Sequence, residues 1–357
     1  MNLQEALEKI QPLNEEAMKS SQAHWDSIAH PLHSLGKLED MIVQIAGITG
    51  TPKVCVKKRV LIPMCADNGV VEEGVTQTGQ EITALVAENF LQEKAASSIM
   101  CKSVGCDIFP IDVGVARDVR IFNRKIAYGT KNMTKEPAMT REQAIRAIEI
   151  GIEAAQMMKE KGYHILATGE MGIGNTTTSS AVISVLTDLD PEVVTGRGAG
   201  LDHAGLKRKI EVIKEGIRIH RPDPSDGIDV LSKVGGLDLA ALTGFYLGCA
   251  YWRIPVVLDG LITGAAALAA VKICPEAAGY LLASHVSAEP AGQAVLSSLG
   301  LKAAIQAGMC LGEGTGAAAF FPMLDMALTI YSKMDTFQDI QVKPYCHFEE
   351  DKNEDKE

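Results

Sequence analysis

Five short runs share one order of residue types: "RVLIPMCADNGV" (59–70), "CDIFPIDVGV" (106–115), "YHILATGE" (163–170), "RIPVVLDG" (253–260) and "YLLASHVSAE" (280–289). In each, the apolar half comes first and Asp, Glu, Gly or Ser residues follow. Helical patterns fill the gaps, so the chain predicts an α/β fold with a parallel sheet covered by helices on both faces. Parallel strands end on a common edge, which places the polar residues of the five runs on one rim, where open α/β sheets bind ligands. Helices are expected near 81–100, 176–187, 202–219, 236–250, 261–272 and 290–299. One more is marked at both ends, with Thr140 as N-cap, Gln143 three residues on, and Gly162 as the stop. Residues 1–50 and the stretch "GAAAFFPMLDMALTIYSKM" read as helix without strand, so the chain ends are expected to form a small helical domain.

Composition narrows the partners. The chain has 357 residues with 46% hydrophobic content, which is globular and large enough to bury a core. A formal net charge of -11 argues against nucleic acid or an anionic membrane, whose phosphates a basic protein would neutralise. A small anion remains open, since a pocket can be positive on an acidic protein. The start, "MNLQEALEKIQPLNEEAMKS", has neither a basic leader nor an apolar h-region, so a cytoplasmic location is expected. The apolar run "IPVVLDGLITGAAALAAVKI" is broken by Asp259 and two glycines and reads as buried strand and helix, not as a membrane span. Eight cysteines include no CxxC pair and no histidines at zinc spacing, so reduced thiols are expected and no metal site. The last residues, "HFEEDKNEDKE", read as a solvated acidic tail.

The stretch "ATGEMGIGNTTTSSA" (167–181) sets Glu170 on a bare turn between a strand and a helix. Gly172 and Gly174 allow a ligand close to the backbone, and Asn175 or Thr176 can cap the helix, whose N-terminal amides suit an anion. No lysine follows as in a Walker loop, and no dinucleotide fingerprint is present. An ordinary capped strand-to-helix turn is the alternative. "CLGEGTGAA" (310–318) places Glu313 between Gly312 and Gly314 with Leu311 before it. Such a carboxylate among apolar neighbours is expected to have a raised pKa and to accept a proton near neutrality, unless it is merely solvated at a helix entry. "TGRGAGLDHAGLKRKI" (195–210) couples Gly196, Gly198 and Gly200 to Lys207, Arg208 and Lys209, which is either an anion site or a solvated basic face. "SHVSAEP" offers His285, Ser287 and Glu289, but without a G-x-S-x-G elbow Ser287 reads as a ligand donor or a cap rather than a nucleophile. Asp67 and Asn68 orient a polar group or close a turn.

Taken in order, "SLGKLED", "GEMGIGNTTTSSA", "DGIDVLSKVGGLDLAALTG", "VVLDG", "SHVSAE" and "LGEGTGAA" resemble the nicotinate-nucleotide–dimethylbenzimidazole phosphoribosyltransferase family, the CobT type, across nearly the whole chain. The resemblance implies a Rossmann-like parallel sheet with a small helical domain from the chain ends. The corresponding segments are 1–50 and 313–345 for the helical domain, 51–312 for the catalytic domain and 346–357 for the tail. It also implies a homodimer with sites at the interface, no cofactor, and transfer of phosphoribose from nicotinate mononucleotide to 5,6-dimethylbenzimidazole with inversion at the anomeric carbon. By match to the motifs, Glu313 is the base and Glu170 a second catalytic carboxylate. Gly172, Asn175, Thr176, Gly198, Lys209, Gly260 and Ser287 hold the nucleotide and its phosphate. Thr78, Val86, Met171 and Leu311 line the base pocket.

Two departures are visible. "ADNGV" stands where the family often has "ADHGV", and aligning "EGVTQTGQEITALV" puts Thr78 and Val86 where a serine and a glutamine line the base pocket of a bacterial relative. A variant that activates other lower-ligand bases, purine or phenolic, is therefore an alternative. So are a non-catalytic paralogous subunit and a heterodimer with a paralogue, although retention of Glu170 and Glu313 together argues against loss of catalysis. A nicotinamide-dependent oxidoreductase is the rival at the level of fold alone.

Overall fold

The computed structural model describes residues 1–345; the acidic tail expected at 346–357 lies outside them. The expected parallel sheet is present. Its strands are β1 (Arg59–Ala66), β2 (Asp107–Ile108), β3 (Ile111–Gly114), β4 (Phe122–Asn123), β5 (Ile165–Met171), β6 (Val256–Leu258) and β7 (Leu281–Ala283), in the order β4-β3-β1-β5-β6-β7 with β2 also beside β1. Every pairing is parallel. All eight residues of β1 are buried, the signature of a strand covered on both faces.

The run 106–115 folds as two strands rather than one. Val60 and Leu61 pair with Asp107 and Ile108, and Met64 pairs with Ile111, so the ladder skips across Phe109 and Pro110. This gap accommodates Pro63 inside a central strand. The amide of Phe109 donates to the carbonyl of Leu61, so the alternate residue Pro63 also faces this side, where its missing N–H breaks no pairing.

Helices fall close to the sequence signals. Arg141–Glu160 starts with the full Thr140/Gln143 capping box. The stretch expected as one helix over 81–100 is two, Glu81–Leu91 and Ala96–Ser103, separated where Glu93 takes a left-handed φ of 56°. Helix Leu237–Trp252 is buried nearly all round and lies hard against Arg141–Glu160. A Cβ on Gly244 would sit 1.8 Å from the carbonyl oxygen of Ile148, and one on Gly151 would sit 2.0 Å from that of Ala241. Glycine is therefore what lets these two backbones touch.

The chain divides into two compact units, Met1–Pro12 with Val56–Phe321, and Leu13–Cys55 with the described residues from Pro322 on. The first unit holds the sheet; its N-terminal segment is tied in where Tyr280 donates to the carbonyl of Gln11 at 2.7 Å. The second contains helices Glu15–Ser27 and Lys37–Thr49. Its centre is aromatic: Trp25 and Tyr331 meet edge to face at 4.9 Å, and the Tyr331 hydroxyl bonds Ser21 Oγ and the carbonyl of Pro52, each at 3.0 Å. No helix among the described residues is long and apolar enough to cross a membrane.

Chain order reverses between β1 and β5: from β1 the sheet grows outward through β3 and β4, then resumes on the other side with β5, β6 and β7. Ligands bind at the carboxyl edge of such a switch point.

Candidate active site

A cleft of about 350 Å³ opens at this edge. Three of the five runs line it, through Glu170 and Met171 at the end of β5, Asp259 and Gly260 after β6, and His285, Ser287 and Glu289 after β7. The other two do not line it. Asp67 accepts from Thr83 Oγ1 at 2.6 Å and from the amide of Ala116 at 2.8 Å, which ties the end of β1 to its neighbours behind the cleft.

The glycine turn after β5 is required by its surroundings. A Cβ on Gly172 would lie 2.1 Å from the carbonyl oxygen of Ala66, and Gly174 has a φ of 93°. The following helix, Asn175–Thr187, has Gly174 as N-cap and no side-chain cap, so neither Asn175 nor Thr176 plays the capping part expected of one of them. Asn175 instead turns back: its Nδ2 donates to Glu170 Oε2 and, at 3.1 Å, to Asp238 Oδ2. One amide thus stands between two buried carboxylates. Burial pushes Glu170 up to about 8, against the Asn175 bond, with the charge of Asp238 adding to the rise. Burial likewise pushes Asp238 up to about 7.

Glu313 stands in a turn of three consecutive left-handed residues, Gly312, Glu313 and Gly314, with φ of 87°, 62° and 96°. Its amide donates to Glu170 Oε1 at 3.2 Å. Its carboxylate Oε2 accepts from the amide and the hydroxyl of Ser97, at 3.3 and 3.4 Å, in the first turn of helix Ala96–Ser103. Glu313 is only half-buried, whereas Glu170 is 6% exposed. The apolar enclosure expected around Glu313 belongs to Glu170. Asp259 grips the same turn from behind, with Oδ2 accepting from Gly314 N at 3.2 Å and Oδ1 from Gly316 N and Ala317 N at 2.7 and 3.3 Å.

Of the basic run, Lys207 and Arg208 are exposed and Lys209 turns inward to 1% exposure. Its Nζ donates to Thr176 Oγ1 at 2.8 Å and to the carbonyl of Gly196 at 3.2 Å. Burial lowers it to about 8, and Glu289 partly offsets this. Lys209 stands behind the cleft wall formed by Thr176 and Gly198: a Cβ on Gly198 would come within 3.3 Å of Nζ.

The structure brings Glu170, Gly172, Asn175, Thr176, Gly198, Gly260, Ser287, Val86, Met171, Leu311 and Glu313 to one cleft. Thr78 is elsewhere. It belongs to the turn before helix Glu81–Leu91 and lines a small adjoining cavity with Gly172–Thr176. Sequence reasoning missed Asp238, Asp259, Ser97 and Ile82 as parts of the site. Asp238 and Asp259 had a readable signal, each being a carboxylate inside an otherwise apolar run. Ser97 had none.

A family model described as phosphoribosyltransferase matches residues 10–342. The chain is 49% identical to nicotinate-nucleotide–dimethylbenzimidazole phosphoribosyltransferase of Ruminiclostridium cellulolyticum, over 97% of this chain and 99% of the relative. It is 47% identical to the protein of that name from Acetivibrio thermocellus, over 96% and 98%. The crystal structure of CobT from Thermus thermophilus superposes with a TM-score of 0.87 at 36% identity, covering 92% of this chain and 99% of that one.

Proposed function

The chain belongs to the nicotinate-nucleotide–dimethylbenzimidazole phosphoribosyltransferase family, and from that membership we propose how its own cleft transfers phosphoribose from nicotinate mononucleotide to an aromatic base in cobalamin nucleotide-loop assembly. The observation that carries the reading is the meeting of Glu170, Glu313 and two glycine turns backed by Lys209 in one cleft at the switch point.

A benzimidazole nitrogen attacks C1′ with its lone pair, and the bond from C1′ to the pyridinium nitrogen breaks with its electron pair going to nicotinate. The leaving ring was cationic, so it departs without a proton and asks for no general acid. The acceptor's other nitrogen must lose its proton, and Glu313 takes it. Glu170, when ionised, faces the positive charge that develops on the ribose. The phosphate is held by amides at the start of helix Asn175–Thr187 and around Gly198, with Thr176, Gly260, Ser287 and Lys209. The base rests against Ile82, Val86, Met171 and Leu311, while Thr78 lines the adjoining cavity. Release of nicotinate from its mononucleotide only when base is present tests the reading.

The cationic form of Lys209 is the one that attracts phosphate. Lys209→Ala is expected to weaken nicotinate mononucleotide about 10- to 100-fold and the dephosphorylated nucleoside much less. Since the lysine is held down at about 8, wild-type affinity for the mononucleotide should fall as pH rises through that value and stay level below it. Equal losses for both ligands in titration calorimetry would assign Lys209 to loop support.

Val86 supplies an apolar wall with no hydrogen-bonding group. Apolar pockets separate methyl-sized differences by only about 1–3 kcal/mol, so dimethylbenzimidazole, benzimidazole, adenine and a cresol should compete within a few orders of magnitude when products are counted by mass. Exclusion of the other three would show a polar contact supplied from elsewhere.

A homodimer belongs to the same proposal, in preference to a heterodimer with a paralogue. It is supported by Leu85, Leu91, Ile99 and Leu311, which are more than half exposed on the helices and loop around the base side of the cleft. Light scattering should return twice the chain mass, and Leu85→Glu with Ile99→Glu should return the monomer; a monomeric wild type would contradict it. The expected compartment is the cytoplasm, in line with the free thiols of Cys65, Cys101, Cys106, Cys249, Cys274 and Cys310.

A further inference from the structure

Glu313 has a positive φ of 62°, a backbone state that is strained for a non-glycine residue and persists where neighbours hold it. Two buried carboxylates do the holding. Glu170 Oε1 takes the amide of Glu313 itself, and Asp259 takes the amides that follow. The two oxygens of Asp259 divide the work. Oδ1 receives Gly316 N and Ala317 N, which open helix Thr315–Lys333, while Oδ2 receives Gly314 N, the residue directly after Glu313. The fit around Asp259 is tight: a Cβ on Gly316 would lie 2.9 Å from Oδ1 and 1.9 Å from His285 Nδ1.

We propose that Asp259 is a positioning residue for the base: by holding Gly314 N through Oδ2 it fixes the turn from which Glu313 reaches the acceptor. The proposal rests on Glu313 being that base. It separates two roles that one carboxylate could otherwise confuse. An asparagine at 259 with its carbonyl in the place of Oδ1 keeps both helix amides and directs its NH₂ at the N–H of Gly314. Two donors then face each other, and the Glu313–Gly314 turn gives way while the helix start stays capped. Glu313 loses its line to the acceptor nitrogen although its own side chain is intact.

A kinetic cycle tests this. Asp259→Asn is expected to lower kcat about 10²-fold, the cost of a misplacement of about an ångström, with KM for nicotinate mononucleotide changed by less than about twofold. In a Glu313→Gln background the same change should cost less than about twofold more, because the group being positioned is already gone. An equal loss in both backgrounds, or a rise in KM with kcat unchanged, overturns the proposal. Full turnover in Glu313→Gln alone overturns the parent reading as well, and is seen before the cycle is complete. Should Asp259→Asn fail to fold, hydrogen exchange on the wild type decides: the amide of Gly314 should be protected like those of Gly316 and Ala317, and fast exchange at Gly314 alone would remove the hold on which the proposal depends.

Discussion

Glu313→Gln is expected to lower turnover by about 10²–10⁴-fold, the range for removal of a general base, while nicotinate mononucleotide binds nearly as before. Glutamine keeps the shape and can still accept from the Ser97 amide and hydroxyl that now hold Oε2, so the turn need not move. Only the ability to take the proton from the acceptor base is lost. Because the leaving ring becomes a neutral pyridine without taking a proton, no general acid has to stay protonated. The kcat should therefore rise with pH to a plateau as Glu170, held up at about 8, ionises, rather than follow a bell. Stopped turnover with intact nucleotide binding, measured by steady-state assay and calorimetry on the same preparation, is the expected pattern. Near-normal turnover would move the base elsewhere, with Glu170 the first alternative.

Glu170→Gln should make the protein more stable and less active. The carboxyl of Glu170 is pushed up to about 8 from 4.5 by burial, aided by the charges of Asp238 and Asp259 and opposed by Asn175 and the Glu313 amide. A raised folded-state pKa means that the folded protein holds the proton more tightly than the unfolded chain. The stability this brings is complete below about 4.5 and is lost as pH rises through about 8. Glutamine cannot ionise; its carbonyl keeps the Glu313 amide, and its NH₂ is met by Asn175, whose side chain, unlike a backbone N–H, can turn its own oxygen round. The variant should therefore match wild type near pH 4.5 and exceed it at pH 8. Each pKa unit is worth about 1.4 kcal/mol, so the gain is of the order of a few kcal/mol. Turnover should drop by about 10²-fold, because the charge facing the ribose is gone. Urea melts at the two pH values check the first half, and a variant that loses stability at pH 8 would show that the bonds of Glu170 to Asn175 and the Glu313 amide outweigh its burial. Such a trade of stability for function is common where a site is built from desolvated charge.

The sequence carried the local parts of this site well and the long-range parts poorly. Glu170, Glu313 and Lys209 announced themselves because a charged residue beside several glycines is rarely needed for packing. The capping box at Thr140 is likewise a short-range device and appears where its spacing places it. Asn175 shows the limit. Its position at a helix start suggests a cap, but its amide is claimed by Asp238, 63 residues away, and by Glu170. Local capping lost to a tertiary bond that buried carboxylates make worth more. The same competition hid Asp259, whose partners lie 55 to 58 residues on, and Ser97, whose partner lies 216 residues on. The two breaks in expected elements have different origins. Pro110 was a visible cue for the split between β2 and β3, whereas the left-handed Glu93 that ends helix Glu81–Leu91 lacks the glycine that usually marks such a stop.

The most direct measurement is the product itself. Incubated with nicotinate mononucleotide and 5,6-dimethylbenzimidazole, the protein should release one nicotinate for each α-ribazole 5′-phosphate formed, identified by mass and by the H1′ coupling of the α anomer. A β-configured product would mean that displacement at C1′ is not direct. Ribose 5-phosphate with unchanged base, or no nicotinate at all, would contradict the assignment of this cleft to phosphoribosyl transfer.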